Sequence, residues 1–298
     1  MREKNILPGL ALAVTGAITF SGKAIIVKLA YRYGADAVTV IMLRMLFALP
    51  VFVLMAWWAS RGKPPLSQRD WLGVVGLGFS GYYLSSFLDF LGLQYVTASL
   101  ERLILYLNPT FVVLLAWLLY RKQCSRLQLA GMALSYCGVV LVFGHEIGLA
   151  GRQTAIGAAL IFASAASYAV YLVYSGEMVK RLGALRLVGL ATAVACVFCV
   201  LQYLLLRPVA DVLAVAPQVV WLSVLNALLC TAVPVLLVMM AIERIGPALS
   251  AQSGMVGPLA TIMMGVVILG EPFTAWIAVG TVLVIAGIFV FSRASRQA

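Results

Sequence analysis

Long apolar runs alternate along this chain with short polar breaks, and the breaks are where Lys, Arg, Gly and Pro gather. Ten runs are legible: 7–30, 37–59, 71–91, 98–119, 125–143, 154–175, 185–206, 218–241, 248–269 and 274–292. Their lengths match the roughly 20 residues a helix needs to cross a hydrocarbon core. The connections are too short for a soluble domain. The pattern therefore predicts an all-α integral membrane protein with ten transmembrane helices. The first run is long and lacks an A-x-A end, so it reads as the first membrane helix and not as a targeting peptide.

Composition points the same way. Hydrophobic residues make up 63% of the chain and charged residues 10%, against about 25% charged in soluble domains. The mean hydropathy is +1.05. The net charge of +11 sits in loops between runs and not on one folded face, which excludes nucleic acid as a partner. Of the 21 Lys and Arg residues, Lys23, Arg44 and Arg102 fall inside runs, and Lys28, Arg32, Arg152 and Arg207 fall at the ends opposite the N-terminus. The remaining 14 share the N-terminal side, which by the positive-inside rule predicts a multi-pass protein of the cytoplasmic (inner) membrane with both termini in the cytoplasm.

A repeat is visible at an offset of 149, half the 298 residues. Pro109 then meets Pro258, Gly131 meets Gly280, Gly138 meets Gly287 and Ser125 meets Thr274, two hydroxyl caps at helix starts. An offset of 148 sets Thr19 on Ser167, Phe20 on Tyr168 and Lys23 on Tyr171. Residues 1–149 and 150–298 thus read as two five-helix repeats. Five is odd, so the copies must cross the membrane in opposite directions. Arg121-Lys122 after the fourth run and Gly270-Glu271 after the ninth fit that inversion, since only the first corner would face the cytoplasm. Inverted repeats place a binding site at their interface and open it alternately to either side.

The segments GLQYVTASLERLILYLNPTFVVLLAWLL (92–119) and GPALSAQSGMVGPLATIMMGVVILGEPFTAWIAVGTVLVIAGI (246–288) resemble the drug/metabolite transporter superfamily, specifically its EamA-type ten-helix transporters. The resemblance covers nearly the whole chain and implies export of small metabolites. Two departures stand out. Tyr120-Arg121-Lys122 replaces the Gly-Glu of many relatives, and the first run carries Lys23 where small four-helix multidrug exporters carry a lone glutamate. Their proton mechanism is therefore not carried over.

Candidate chemistry lies in five ionisable residues inside the runs: Lys23, Arg44, Asp89, Glu101 and Arg102. The run directions put all five at one depth, in the outer half of the membrane. At the centre of an isolated helix each would cost about 2.5–3.5 kcal/mol, so they are expected to face inward, pair, and contact substrate or a coupling proton. The plain alternative is a structural ion-pair network, with Asp89, Glu101 and Arg102 snorkelling to the headgroups. Thr19, Tyr82, Tyr106, Asn108, Tyr168, Tyr171, Gln252 and Ser253 fall on polar stripes expected to line a cavity. Pro109 and Pro258 are expected to break the helix backbone structurally. The cysteines, including Cys124 and the Cys196/Cys199 pair, read as packing residues. His145, the single histidine, falls in a loop, so no metal site is expected.

The expected function is a secondary transporter exporting small amphiphilic, amino-acid-like metabolites by alternating access, with proton exchange as the drive. In this reading Glu101 or Asp89 carries the proton, and Lys23, Arg44 and Arg102 bind the acidic group. Import of nucleosides or other nutrients on the same fold is the alternative. An intramembrane enzyme or a passive channel is a remote one, since no catalytic cluster is legible. The expected partners are a small-molecule substrate, protons and the lipid bilayer, with a homodimer left open. No cofactor is expected.

Overall fold

A computed structural model describes residues 7–121, 125–253 and 256–297 of the chain; Arg2, Lys4, Lys122 and Cys124 lie outside them. Every regular element among these residues is a helix. The spans are α1 Leu7–Arg32, α2 Ala37–Ser60, α3 Gln68–Gly92, α4 Ala98–Leu119, α5 Arg126–Ala150, α6 Arg152–Leu182, α7 Ala184–Leu206, α8 Pro217–Ile242, α9 Gly257–Leu269 and α10 Ala275–Gln297. Eight of these are long and apolar enough to cross a bilayer, and α9 and α10 are the shorter apolar helices.

Local chemistry sets the helix starts. The Asp36 side chain accepts from Thr39 N at α2, and Thr97 accepts from Leu100 N at α4. Ser125 and Gln128 cap α5 reciprocally, and Thr274 accepts from Ile277 N at α10. Each cap gives one orphan N–H a partner that lipid cannot supply. Asp36 also receives the Arg207 guanidinium, tying the α1–α2 loop to the end of α7. Burial alone would raise the Asp36 carboxyl, but the hydrogen bonds from Thr39 and Arg207 outweigh it and hold the carboxyl below its ordinary value.

Two boundaries differ from the sequence reading. His145 is on α5 and not in a loop, with its ring stacked on Trp276. Gly144 and Gly148 stay helical, and α5 ends only at Gly151, where φ is +70° and a side chain would be strained. The expected break between the eighth and ninth runs is also absent. Beyond its apolar span, helix α8 continues through Gly246-Pro247 to Ser253; the fixed φ of proline lies within the helical range, although its ring costs the helix one hydrogen bond there.

The inversion of the repeats is recorded in one contact. On α5 and α10, a Cβ added at Gly131 would sit 2.7 Å from Gly287 O, and one at Gly138 would sit 2.6 Å from Gly280 O. The sequence offset equates Gly131 with Gly280 and Gly138 with Gly287, so equivalent positions touch crosswise. Ser135 donates to Val284 O, 149 residues on and its own equivalent, at 3.4 Å. A crossed contact with a self-matched centre is what two antiparallel copies make about a two-fold axis. Helices α2 and α7, likewise equivalent, pack on each other, and α1–α8 matches α6–α3. Small residues make such close approach feasible in lipid.

Helices α3 and α8 also share an irregularity. Each widens into π-helical geometry, at Gly78–Leu84 and at Leu228–Ala232, one repeat apart. Such widening is frequent at functional sites, and both stretches face the region between the repeats.

The glycine seam sets an expectation for stability. Gly138→Leu or Gly287→Leu must push α5 and α10 apart, at about 1–3 kcal/mol for an overpacked site. Gly144→Ala, which meets open space, should leave thermal unfolding in detergent unchanged. Equal unfolding temperatures for all three variants would contradict the seam.

Candidate functional site

The five ionisable side chains of the spans converge at one place. Lys23 comes from α1, Arg44 from α2, Asp89 from α3, and Glu101 and Arg102 from α4; none is more than 7% exposed. Lys23 Nζ stands 2.5 Å from Asp89 Oδ2 and 3.6 Å from Glu101 Oε1, so one ammonium faces two carboxylates. Glu101 is fully buried, and neither of its oxygens has a hydrogen-bond partner. Asp89, Glu101 and Arg102 are all buried among protein atoms, whereas a snorkelling side chain would be exposed at its tip. The Glu101 carboxylate points inward, toward Lys23.

The two arginines are held differently. Arg44 Nε donates to Thr231 Oγ1 at 3.0 Å, and Arg102 Nε donates to Thr261 Oγ1 at 2.8 Å. Both threonines belong to the second repeat and are held in turn. Thr231 donates to Asn226 O, and Thr261 to Gly257 O and Ser21 O. With Nε occupied, each guanidinium is fixed on its stem while an outer nitrogen is left for another partner. Arg44 Nη1 and Arg102 Nη2 are buried with no protein acceptor. Each guanidinium also lies over an aromatic ring, Arg44 over Phe90 at 5.1 Å and Arg102 over Phe20 at 5.5 Å. That contact stabilises a cation that has left water.

A cavity of about 360 Å³ opens against these groups, lined by Lys23, Arg44, Asp89 and Arg102 together with Tyr82, Tyr106, Asn108, Tyr168 and Thr231. A second cavity of about 470 Å³ shares Phe20, Tyr82, Arg102, Tyr106, Tyr168 and Val235 with it. It continues along Gly16 and Ala13 toward the start of α1 and past Ile242 and Ser250. The void thus has a charged end and an apolar, tyrosine-flanked body. Each volume falls in the range of small-ligand sites.

The remaining sequence candidates divide. Tyr82, Tyr106, Asn108 and Tyr168 line the chamber, and Asn108 Oδ1 is buried there with no partner. Tyr171 stands behind them, its hydroxyl 3.1 Å from that of Tyr82 and its ring stacked on Tyr168. Thr19 lines neither cavity; its hydroxyl donates to Thr15 O and Gly16 O of its own helix. The chamber face of α1 runs instead through Gly16, Ala17, Phe20 and Ser21. Glu101 also lines neither cavity and reaches the chamber only through Lys23. Gln252 and Ser253 have side chains outside the described set.

Both prolines lie in the first turn of a helical segment beside the site. Pro109 starts the second half of α4 after a turn at Tyr106-Leu107. Pro258 follows Gly257, whose carbonyl accepts from Ser21 and Thr261. A Cβ at Gly257 would come within 2.9 Å of the Tyr106 hydroxyl. The sequence reading missed Thr231 and Thr261, the braces of the arginines. A lone threonine one turn after Pro258 was the available signal for the second. Three or more metal-ligating side chains do not come together among the described residues.

The EamA-like transporter family profile matches residues 7–144 and 155–293, one match to each half of the chain. The chain is 32% identical over 273 residues to the uncharacterized transporter YcbK of Bacillus subtilis, covering 88% of this chain and 86% of that one. It is 26% identical over 289 residues to an uncharacterized transporter of Archaeoglobus fulgidus, covering 97% and 98%. A solved crystal structure aligns with a TM-score of 0.65 over 97% of this chain and 98% of its own, at 19% identity. That likeness shows the fold.

The ion cluster is expected to behave as a unit. Lys23→Ala strands two buried carboxylates, a loss of about 3–5 kcal/mol, whereas Lys23→Ala combined with Asp89→Asn removes one of them and should recover much of it. Thermal unfolding of the two single variants and the double variant measures the coupling, and simple additivity would show that Lys23 and Asp89 do not interact.

Proposed function

This chain belongs to the EamA-like transporter family, and we propose that it exports small amphiphilic, amino-acid-like metabolites across the cytoplasmic membrane in exchange for protons, with both termini in the cytoplasm. The observation that carries the reading is the pair of braced guanidinium groups, Arg44 and Arg102, each with one buried outer nitrogen, Nη1 and Nη2 respectively, that has no protein acceptor, on residues that line the chamber. Unpaired buried donors are costly, and a substrate carboxylate satisfies them while water is excluded. With Lys23, Asp89 and Glu101 the cluster holds three positive and two negative groups, so its net charge favours an acidic ligand. The body of such a ligand would lie among Phe20, Tyr106 and Tyr168, whose faces suit an apolar side chain.

Proton coupling rests on the count at Lys23. Two carboxylates share one ammonium, so Lys23 has to divide itself between them. Glu101, the more distant, is the group we assign to gain and lose the proton. It acts through Lys23, because it lines no part of the chamber. The relatives named as transporters support the class of activity.

Proteoliposomes with a trapped pH dye, offered a panel of amino acids, nucleosides and cationic drugs, test the reading. A proton flux that follows an amino-acid-like substrate and is lost in Glu101→Gln is expected. Arg44→Gln and Arg102→Gln should each raise the half-saturating concentration by roughly tenfold to a hundredfold, the loss of one charge-assisted hydrogen bond. Saturable substrate movement with no pH change would contradict the coupling assignment.

A further inference from the structure

A second group of charged residues lies beyond the chamber, toward the turn between α3 and α4. At its centre is Glu271, in the corner between α9 and α10. Its carboxylate crosses from the second repeat to the first and accepts from Ala98 N at 2.8 Å, Ser99 N at 3.4 Å and Ser99 Oγ at 3.2 Å. The acceptor thus caps the N-terminus of α4, where a negative charge also meets the positive end of the helix dipole. Two cations of α1 tie the same corner down. Lys28 Nζ is 3.5 Å from Glu271 and donates to Val96 O at 2.6 Å, and Arg32 donates to Leu269 O. Glu146 of α5 joins from the side by accepting from Thr97 Oγ1.

The placement links this group to the chamber. Arg102 is three residues beyond Ser99 on α4, and Lys28 is five residues beyond Lys23 on α1, roughly 7.5 Å along the helix. The chamber continues away from this group, toward the start of α1. The helices that present Lys23, Glu101 and Arg102 are therefore pinned together at one end by a carboxylate from the other repeat, and the void reaches toward the opposite end. The path of Glu271 is specific: a Cβ at Gly265 would lie 2.9 Å from its Oε2, and its backbone N–H bonds to Gly265 O.

We propose that Glu271 is the gate residue of the transporter: bonded to the start of α4 and to Lys28, it closes the chamber at the α3–α4 end, and it must release both for the chamber to open there. This rests on the transport reading above. The combination of a helix cap and an ion pair suits a gate, since the carboxylate can exchange both partners for water when that end opens.

The test reads access and not transport. Ser86→Cys places a thiol in the chamber, and a membrane-impermeant maleimide is added to vesicles of known orientation, with the parent chain as background for native cysteines. With Glu271 intact, labelling is expected from the side of the start of α1 and not from the α3–α4 side. Glu271→Ala should raise labelling from the α3–α4 side by about tenfold or more, and Glu271→Gln, which keeps an acceptor for Ala98 N, by less. Gly265→Ala, which crowds the carboxylate and leaves every charge in place, should act like Glu271→Ala. Unchanged labelling in both alanine variants, or fast labelling from the α3–α4 side of the intact chain, overturns the gate. A purely structural Glu271 would lower the unfolding temperature without changing the side of access. If no substrate moves in any variant while labelling shifts as expected, the transport reading fails and the closure stands.

Discussion

Five formal charges buried inside a lipid-solvated helix bundle are the constraint on which the rest of this structure depends. Coulomb energy in a low-dielectric interior is large, and so is the cost of leaving an ion there unpaired. Lys23 meets it by facing Asp89 and Glu101 at once. Arg44 and Arg102 meet it with a threonine at Nε and an aromatic ring beneath each guanidinium. Among the donors these devices leave unsatisfied are Arg44 Nη1 and Arg102 Nη2, on residues that line one chamber, and function is read there.

The inverted repeat supplies both the frame and the asymmetry. Equivalent glycines cross at the α5–α10 seam, and equivalent helices α3 and α8 widen at positions one repeat apart in the sequence. The chemistry does not follow that symmetry. The first repeat brings the charges, and the second brings the hydroxyls that aim them and the carboxylate that closes one end. Where the first repeat has Glu101 and Arg102, the second has Ser250 and Ala251. Each half holds what the other half needs, so relative motion of the halves must disturb the site.

Periodicity made the helices legible, because lipid demands long apolar runs and leaves Lys, Arg, Gly and Pro to mark the ends. The repeat offset anticipated Gly131, Gly138, Gly280 and Gly287 as a set, though not that they would touch crosswise. The five charges announced themselves by being costly. The threonine braces did not, since Thr231 and Thr261 sit singly in apolar runs and form no stripe. The π-helical stretches carry no residue signature, because they are a property of backbone hydrogen bonding. Thr19 misled for the opposite reason: its spacing suggested a polar face, but its hydroxyl is satisfied by its own helix. Glu271 read as the corner of a repeat, and its reach of some 170 residues in sequence to Ala98 could come only from the fold.

The most direct measurement is a cryo-EM map of the protein with its transported substrate bound. Density for the acidic group is expected within hydrogen-bond distance of both Arg44 and Arg102, with the Nε contacts to Thr231 and Thr261 preserved. A substrate seated away from the two guanidinium groups, or arginines turned onto Asp89 and Glu101 when it binds, would contradict the reading.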